Sequence, residues 1–444
     1  MAEEREDMKQ KLSELHCPFT WDMTKFELSN WDKYELKYPT YHEIFDPQSQ
    51  FIKHLIVAYK QILKQEFNEA KESIGEIEKL IDHFKDLKKD VMEHIFLSTK
   101  VHFLMKKEDF DEANNILFNI QSIEDKIYLS IINEIKAALW THCNDFTHTA
   151  KIAITFAELS LKYDPNNATS HYLLAKNLRG LRRLISCHTS SNEEEILHFK
   201  RAYELEKNPK FAIFLGQAYK EKNLKDKADI IFQEIHSMNI QSRKINLRLS
   251  LYFLKNNFLD KAEKCLTFVE AGDSKSSWFL HYKGLYLMKK NKYEEAAECF
   301  KEAYDQNNYG ADLGYAKCMR ILRKRFDFID FFLNLIKKYH HDTDKFKEKE
   351  IYLHIAFTFF DIKRDIREAI KYFYQAFQVK SPEFKMERYR NPLTDKNVNV
   401  YNFLSNHVFP KIENYIKNKT IYLPEEVLVA NERLKKICDE HFSH

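Results

Sequence analysis

Gly216, Ser250 and Gly284 stand 34 residues apart, and three other kinds of position keep the same register. Twelve residues after each comes an alanine: Ala228, Ala262 and Ala296. Four further on sits a large apolar residue, Phe232, Leu266 or Phe300, and three after each small residue is Tyr219, Phe253 or Leu287. Small residues at two positions let a pair of helices approach closely, while the large ones fill the space between them. Chance periodicity in an apolar-rich helical chain is the competing reading. Three units matched at four position types speak against it.

This register is that of tetratricopeptide repeats, two antiparallel helices per unit. No unit buries its apolar face alone, so neighbours stack. The expected fold is all-α: a right-handed superhelix of about eight or nine helix-turn-helix units with a concave inner surface. Only 7 glycines and 9 prolines occur in 444 residues, little material for sheets and tight turns. No run of 18 apolar residues occurs and the first ten residues are charged throughout, so neither a signal peptide nor a membrane anchor is expected. The 7 cysteines are odd in number and scattered without paired spacing, which suits reduced thiols and a cytoplasmic location. Net charge is only +3, so any basic site must come from local clustering.

Along the chain, residues 1–50 read as an N-terminal helix followed by an irregular cap, with Pro39 and Pro47 as breakers and helix resuming at Phe51. Residues 51–165 form an N-terminal repeat subdomain, in which Ala58 and Ala70, Val101 and Ala113, and Ala138 and Ala150 share the twelve-residue offset. Residues 166–340 hold the central array lining the groove, interrupted by a polar loop over Ser186 to Asn192. Residues 341–444 carry another unit at Ala356, Ala369, Phe373 and Ala376, a loop over 381–400 and two capping helices, 401–417 and 424–442.

The run Leu15-His16-Cys17-Pro18-Phe19-Thr20-Trp21-Asp22-Met23 resembles the N-terminal Leu-x-Cys-His-Phe-Thr-Trp-x-Leu motif of the interferon-induced proteins with tetratricopeptide repeats. The resemblance continues through His54 to Tyr59, at Trp140, in the repeat core and from Ile370 to Lys380. Pro18 departs from the family's histidine, and the basic insertion usual between two helices of a middle repeat is missing after Met288, so the chain reads as a divergent member. The resemblance implies a cytoplasmic protein of antiviral innate immunity that holds single-stranded RNA 5′ ends, triphosphorylated or incompletely methylated at the cap, in a basic tunnel. It also implies homo- or hetero-oligomers through the C-terminal repeats. It places Asp32 where the family has an acidic residue near a magnesium ion bridging an RNA phosphate; a lone surface aspartate is the competing reading. The family's triphosphate lysine has no counterpart after Trp140, its threonine corresponds to Leu36, and Arg179 matches its arginine only with a one-residue slip. A generic RNA groove is therefore better supported than a triphosphate pocket.

The repeat register itself sorts residues onto the groove. Counting from each small position, helix A presents Lys176 and Arg179, then Lys210 and Lys220, then Lys244, Arg248 and Lys255, then Trp278, His281, Tyr282 and Lys289. Cations interleaved with aromatics suit single-stranded nucleic acid, since ammonium and guanidinium groups follow phosphates and flat rings stack bases. Lys176, Arg179 and Arg183 share one helical face, and Lys317, Arg320 and Lys324 repeat that spacing; a solvated outer face is the plainer reading of either stripe. Trp278 could equally pack against the preceding repeat. No phosphate loop, dinucleotide fingerprint or nucleophile elbow occurs, and His340-His341, His142-Cys143 and Cys187-His188 lack the second pair of a zinc site, so catalysis is not expected. The rival to RNA is a protein-binding scaffold, because grooves of this architecture clamp peptides.

Overall fold

The computed structural model describes residues 10–21, 23, 46–121, 123–142, 147–185, 189–272, 275–304, 306–339, 345–381, 384–418 and 421–443. Asp32, Leu36 and residues 24–45 of the expected irregular cap lie outside them. The chain divides into two compact units, Met1–Ile245 and Asn246–His444.

Among the described residues, the first unit holds five helix pairs: α1 (Pro47–Leu63) with α2 (Phe67–Ile81), α3 (Asp86–Lys106) with α4 (Phe110–Asn119), α5 (Lys126–His142) with α6 (Thr147–Tyr163), α7 (Ala168–Ile185) with α8 (Glu193–Leu205), and α9 (Pro209–Glu221) with α10 (Lys225–Ser237). Helix α1 begins four residues before the expected start at Phe51. Pro47 opens it rather than breaking the chain, because a first-turn position needs no N–H donor, and Asp46 caps it by accepting the Ser49 N–H at 3.2 Å.

The second unit holds most of α11 (Arg243–Lys255), then α12 (Leu259–Glu270), α13 (Ser277–Lys289), α14 (Tyr293–Tyr304), α15 (Tyr309–Ile321), α16 (Phe328–Tyr339), α17 (Phe346–Thr358) and α18 (Ile366–Gln378). A two-residue hairpin pairs Tyr389 with Val398 and Arg390 with Asn397 inside the expected 381–400 loop. The chain then finishes with α19 (Val400–Phe403), α20 (Phe409–Asn418) and α21 (Glu425–Phe442). The pair α15/α16 has no counterpart in the sequence reading. Cys318, fully buried, holds its small-residue position 34 after Gly284, but the turn after Ile321 is too long for the register to persist. That early end also places Lys324 beyond the helix, so Lys317, Arg320 and Lys324 do not share a helical face.

Turns inside the repeats share one device. In five of the repeats the residue two past the first helix is left-handed, with φ of 62° at Gln65, 66° at Glu108, 63° at Asn223 and Asn257, and 61° at Asn291. The next N–H then reaches back to the helix: Phe258 donates to the Phe253 carbonyl at 2.9 Å, and Lys292 to that of Leu287 at 2.9 Å. Glycine usually fills such positions; asparagine tolerates the conformation best among the others.

Close packing between paired helices follows the small-to-large rule. A Cβ added at Gly216 would lie 3.0 Å from the Phe232 ring, and one at Gly284 2.6 Å from that of Phe300. Gly314 approaches Phe300 from the following helix pair, so a Cβ there would be 2.7 Å away. Phe300 thus sits between two backbones, which is why neither facing position carries a side chain.

Candidate nucleic-acid interface

Trp278 is positioned by the start of α13. Ser276 caps the helix by accepting the Phe279 N–H at 3.2 Å. From the turn before α15, the Gln306 side-chain oxygen accepts the Ser277 N–H at 2.9 Å, and Asn308 Nδ2 donates to the Ser277 carbonyl at 3.1 Å. One helical turn on, the His281 ring lies against Gly310, where an added Cβ would be 2.4 Å from His281 Cε1. Gly310 therefore makes the room that His281 occupies. The Trp278 indole stacks on that imidazole, with centroids 6.3 Å apart and planes 28° apart. The indole is backed from within yet remains 57% exposed, so it does not pack away against the preceding repeat.

The neighbours set the chemistry. Burial, together with the nearby Lys255 charge, lowers the His281 pKa to about 4 against an opposing hydrogen bond to Asn308, so the ring is neutral near pH 7 and brings no cation to the surface. Tyr282 is only 8% exposed, and burial pushes its hydroxyl up to about 12, countered by the Arg248 charge. It touches the cluster from below, 6.0 Å from Trp278, and presents no free face for a base. Of the three aromatic positions, the open stacking surface is Trp278. Arg248 is half-buried on α11, while Lys244, Lys255 and Lys289 are exposed. The cluster thus offers one accessible flat ring, with positive charge from Lys289 on the same helix and from Arg248 and Lys255 on α11.

In the first unit, the cations are more heavily engaged than the sequence suggests. Lys210 lies 3.3 Å from Asp46; burial would raise that carboxyl, but the Lys210 charge and the Ser49 hydrogen bonds hold it low. Lys176 and Lys220 are half-buried. Arg179 is 4% exposed and does not lie open to solvent: its guanidinium bonds Glu221, as does that of Arg183, and it stacks on Phe214 at 5.6 Å. Arg182, adjacent to that stripe in the sequence, bonds Glu221 at 2.6 Å and Glu195 at 3.0 Å. No local signal marks these acids, since Glu221 lies 42 residues from Arg179. Among the described residues, no group of three His, Cys, Asp or Glu could hold a metal ion, and no helix is long and apolar enough to cross a membrane.

Stacked helix pairs joined by left-handed turns, with small residues facing large ones, define a tetratricopeptide-repeat protein. No protein family profile and no curated sequence matches the chain. Solved chains do. A dimer of human IFIT1 with m7Gppp-AAAA aligns over 97% of this chain and 99% of its own, with TM-score 0.60 and 15% identity. Human IFIT1 with PPP-AAAA aligns over 97% and 95%, again at 0.60 and 15%. A monomeric IFIT1 mutant with Gppp-AAAA covers 98% of each chain, with TM-score 0.64 and 15% identity. The resemblance carried by the N-terminal motif thus extends, as fold, along nearly the whole chain.

Proposed function

We propose that the chain binds single-stranded RNA without sequence preference, as a cytoplasmic protein of antiviral innate immunity related to the interferon-induced tetratricopeptide-repeat proteins. One observation carries the reading: Trp278, exposed and braced by His281, in a cluster where the Lys255 charge reaches His281 and the Arg248 charge reaches Tyr282. Every base has a π face, so an open indole among cations takes single strands of any sequence. A peptide clamp needs paired polar groups for backbone or a terminal carboxylate instead. The IFIT1 chains that share this fold were solved with PPP-AAAA, m7Gppp-AAAA and Gppp-AAAA, which supports the choice of partner. Their dimers likewise support self-association, and the surface we propose for it is the C-terminal segment, where Tyr422 and Phe442 are exposed. No enzymatic role and no resident cofactor form part of the proposal.

The test is a salt titration of the full chain against a 5′-hydroxyl oligoadenylate. With about four to six phosphates neutralised, log K falls with log salt at a slope of roughly −3 to −4, at about −0.7 per contact on a single strand. A flat salt dependence, or no binding at low salt, overturns the RNA reading and leaves a protein-binding scaffold.

A further inference from the structure

Glu221 is the last residue of α9, where the helix dipole disfavours negative charge. Four donors nevertheless surround its carboxylate. Arg179 and Arg183 both donate to Oε1. Arg182 donates to Oε2 at 2.6 Å, and the Ser191 hydroxyl lies 2.9 Å from the same oxygen. Burial would raise the Glu221 pKa, but Arg179, Arg183, Ser191 and Arg182 together hold it below the usual glutamate value.

Glu195 behaves differently. It is fully buried on α8 and takes Arg182 Nε at 3.0 Å, so it belongs to the packing of α7 against α8. Glu221 is the outer acid, its side chain 23% exposed against none for Glu195. Among the described residues, three guanidiniums facing two carboxylates leave one positive charge in surplus. Guanidiniums stay charged when desolvated, and several of them converging on two oxygens form the arrangement that recognises a phosphate. Here a side chain of the protein stands at that place.

We infer that Glu221 is a built-in anion filling a phosphate-class site of Arg179, Arg182 and Arg183, and that it decides the chain's 5′-end specificity. The consequence for specificity rests on the RNA-binding reading; the anion site itself does not. With the carboxylate in place, a 5′-triphosphate meets a nearly neutralised cluster and gains little over a 5′-hydroxyl. Glu221→Gln keeps the shape and one acceptor oxygen but removes the charge, leaving the three arginines facing, among the described residues, the single carboxylate of Glu195.

The experiment compares the full-length chain and Glu221→Gln, each with 5′-triphosphorylated and 5′-hydroxyl oligoadenylates of one length and with tripolyphosphate alone. The wild type should bind the two oligonucleotides within about twofold of each other. Glu221→Gln should bind the triphosphorylated strand at least about tenfold tighter than the hydroxyl strand, and should gain tripolyphosphate binding. Equal affinities in the folded variant, without tripolyphosphate binding, overturn the inference and make the cluster a tie between helices. A tenfold triphosphate preference in the wild type overturns it as well. Should the wild type bind neither oligonucleotide while Glu221→Gln captures tripolyphosphate, the anion site stands and the RNA reading falls. If Glu221→Gln does not fold, Glu221→Ala, which also removes the charge, is judged by the same preference and the same result against it.

Discussion

Trp278→Leu is expected to weaken RNA binding by roughly 5- to 100-fold while leaving the melting temperature little changed. A base stacked on an aromatic ring contributes about 1–3 kcal/mol, and leucine has no flat face to replace it. The indole is 57% exposed and its inner side rests on His281, so little packing is lost when it is shortened. Titration of a labelled oligoadenylate, paired with thermal denaturation of the same samples, checks both halves. A large fall in stability with unchanged affinity of the folded fraction would show that the ring serves packing instead.

Phe300→Ala should have the largest effect on the fold. Its ring is fully buried, wedged between Gly284 and Gly314, and lies 6.0 Å from the His281 ring in an edge contact. Removing such a ring from a core costs about 3–5 kcal/mol, a large share of the roughly 5–15 kcal/mol that holds a typical domain together. Gly284→Ala in the wild type must push the Phe300 ring aside, because the new Cβ would sit 2.6 Å from it. In the Phe300→Ala background the same methyl enters empty space. The two changes should therefore be strongly non-additive in chemical denaturation. Additive costs would mean that glycine and ring do not share one packing site.

The repeat core was readable because its determinants recur. Gly216, Ser250 and Gly284 meet their large partners at fixed offsets, and a pattern printed three times is visible without coordinates. Asn223, Asn257 and Asn291 recur at the same 34-residue spacing and could have been read as the left-handed turns they form. Pro47 was less legible, since proline ends or begins a helix depending on whether a cap such as Asp46 precedes it. The unit at Cys318 is not legible in the sequence because a longer turn breaks the count.

The candidate site was only half legible, for a physical reason. Helical spacing places Trp278 and Tyr282 on the same side of α13, yet it cannot say how far a neighbouring element covers each. Exposure of 57% for one and 8% for the other comes from packing between repeats. Arg179 and Arg183 were correctly placed along one helix, but their charge is met by Glu221, a residue contributed by a later helix pair. Ion pairs between distant segments leave no trace in local sequence. A basic stripe therefore reads as a phosphate surface until its counter-ions are located.

Photo-crosslinking of 4-thiouridine-containing single-stranded RNA to the full chain, followed by trypsin digestion and mass spectrometry, tests the central claim most directly. Trypsin cuts after Lys275 and Lys283, releasing Trp278, His281 and Tyr282 in one short peptide. The account predicts that this peptide carries the leading RNA adduct and that Trp278→Leu abolishes it. Adducts confined to other peptides, with this one unmodified at saturating RNA, would contradict it.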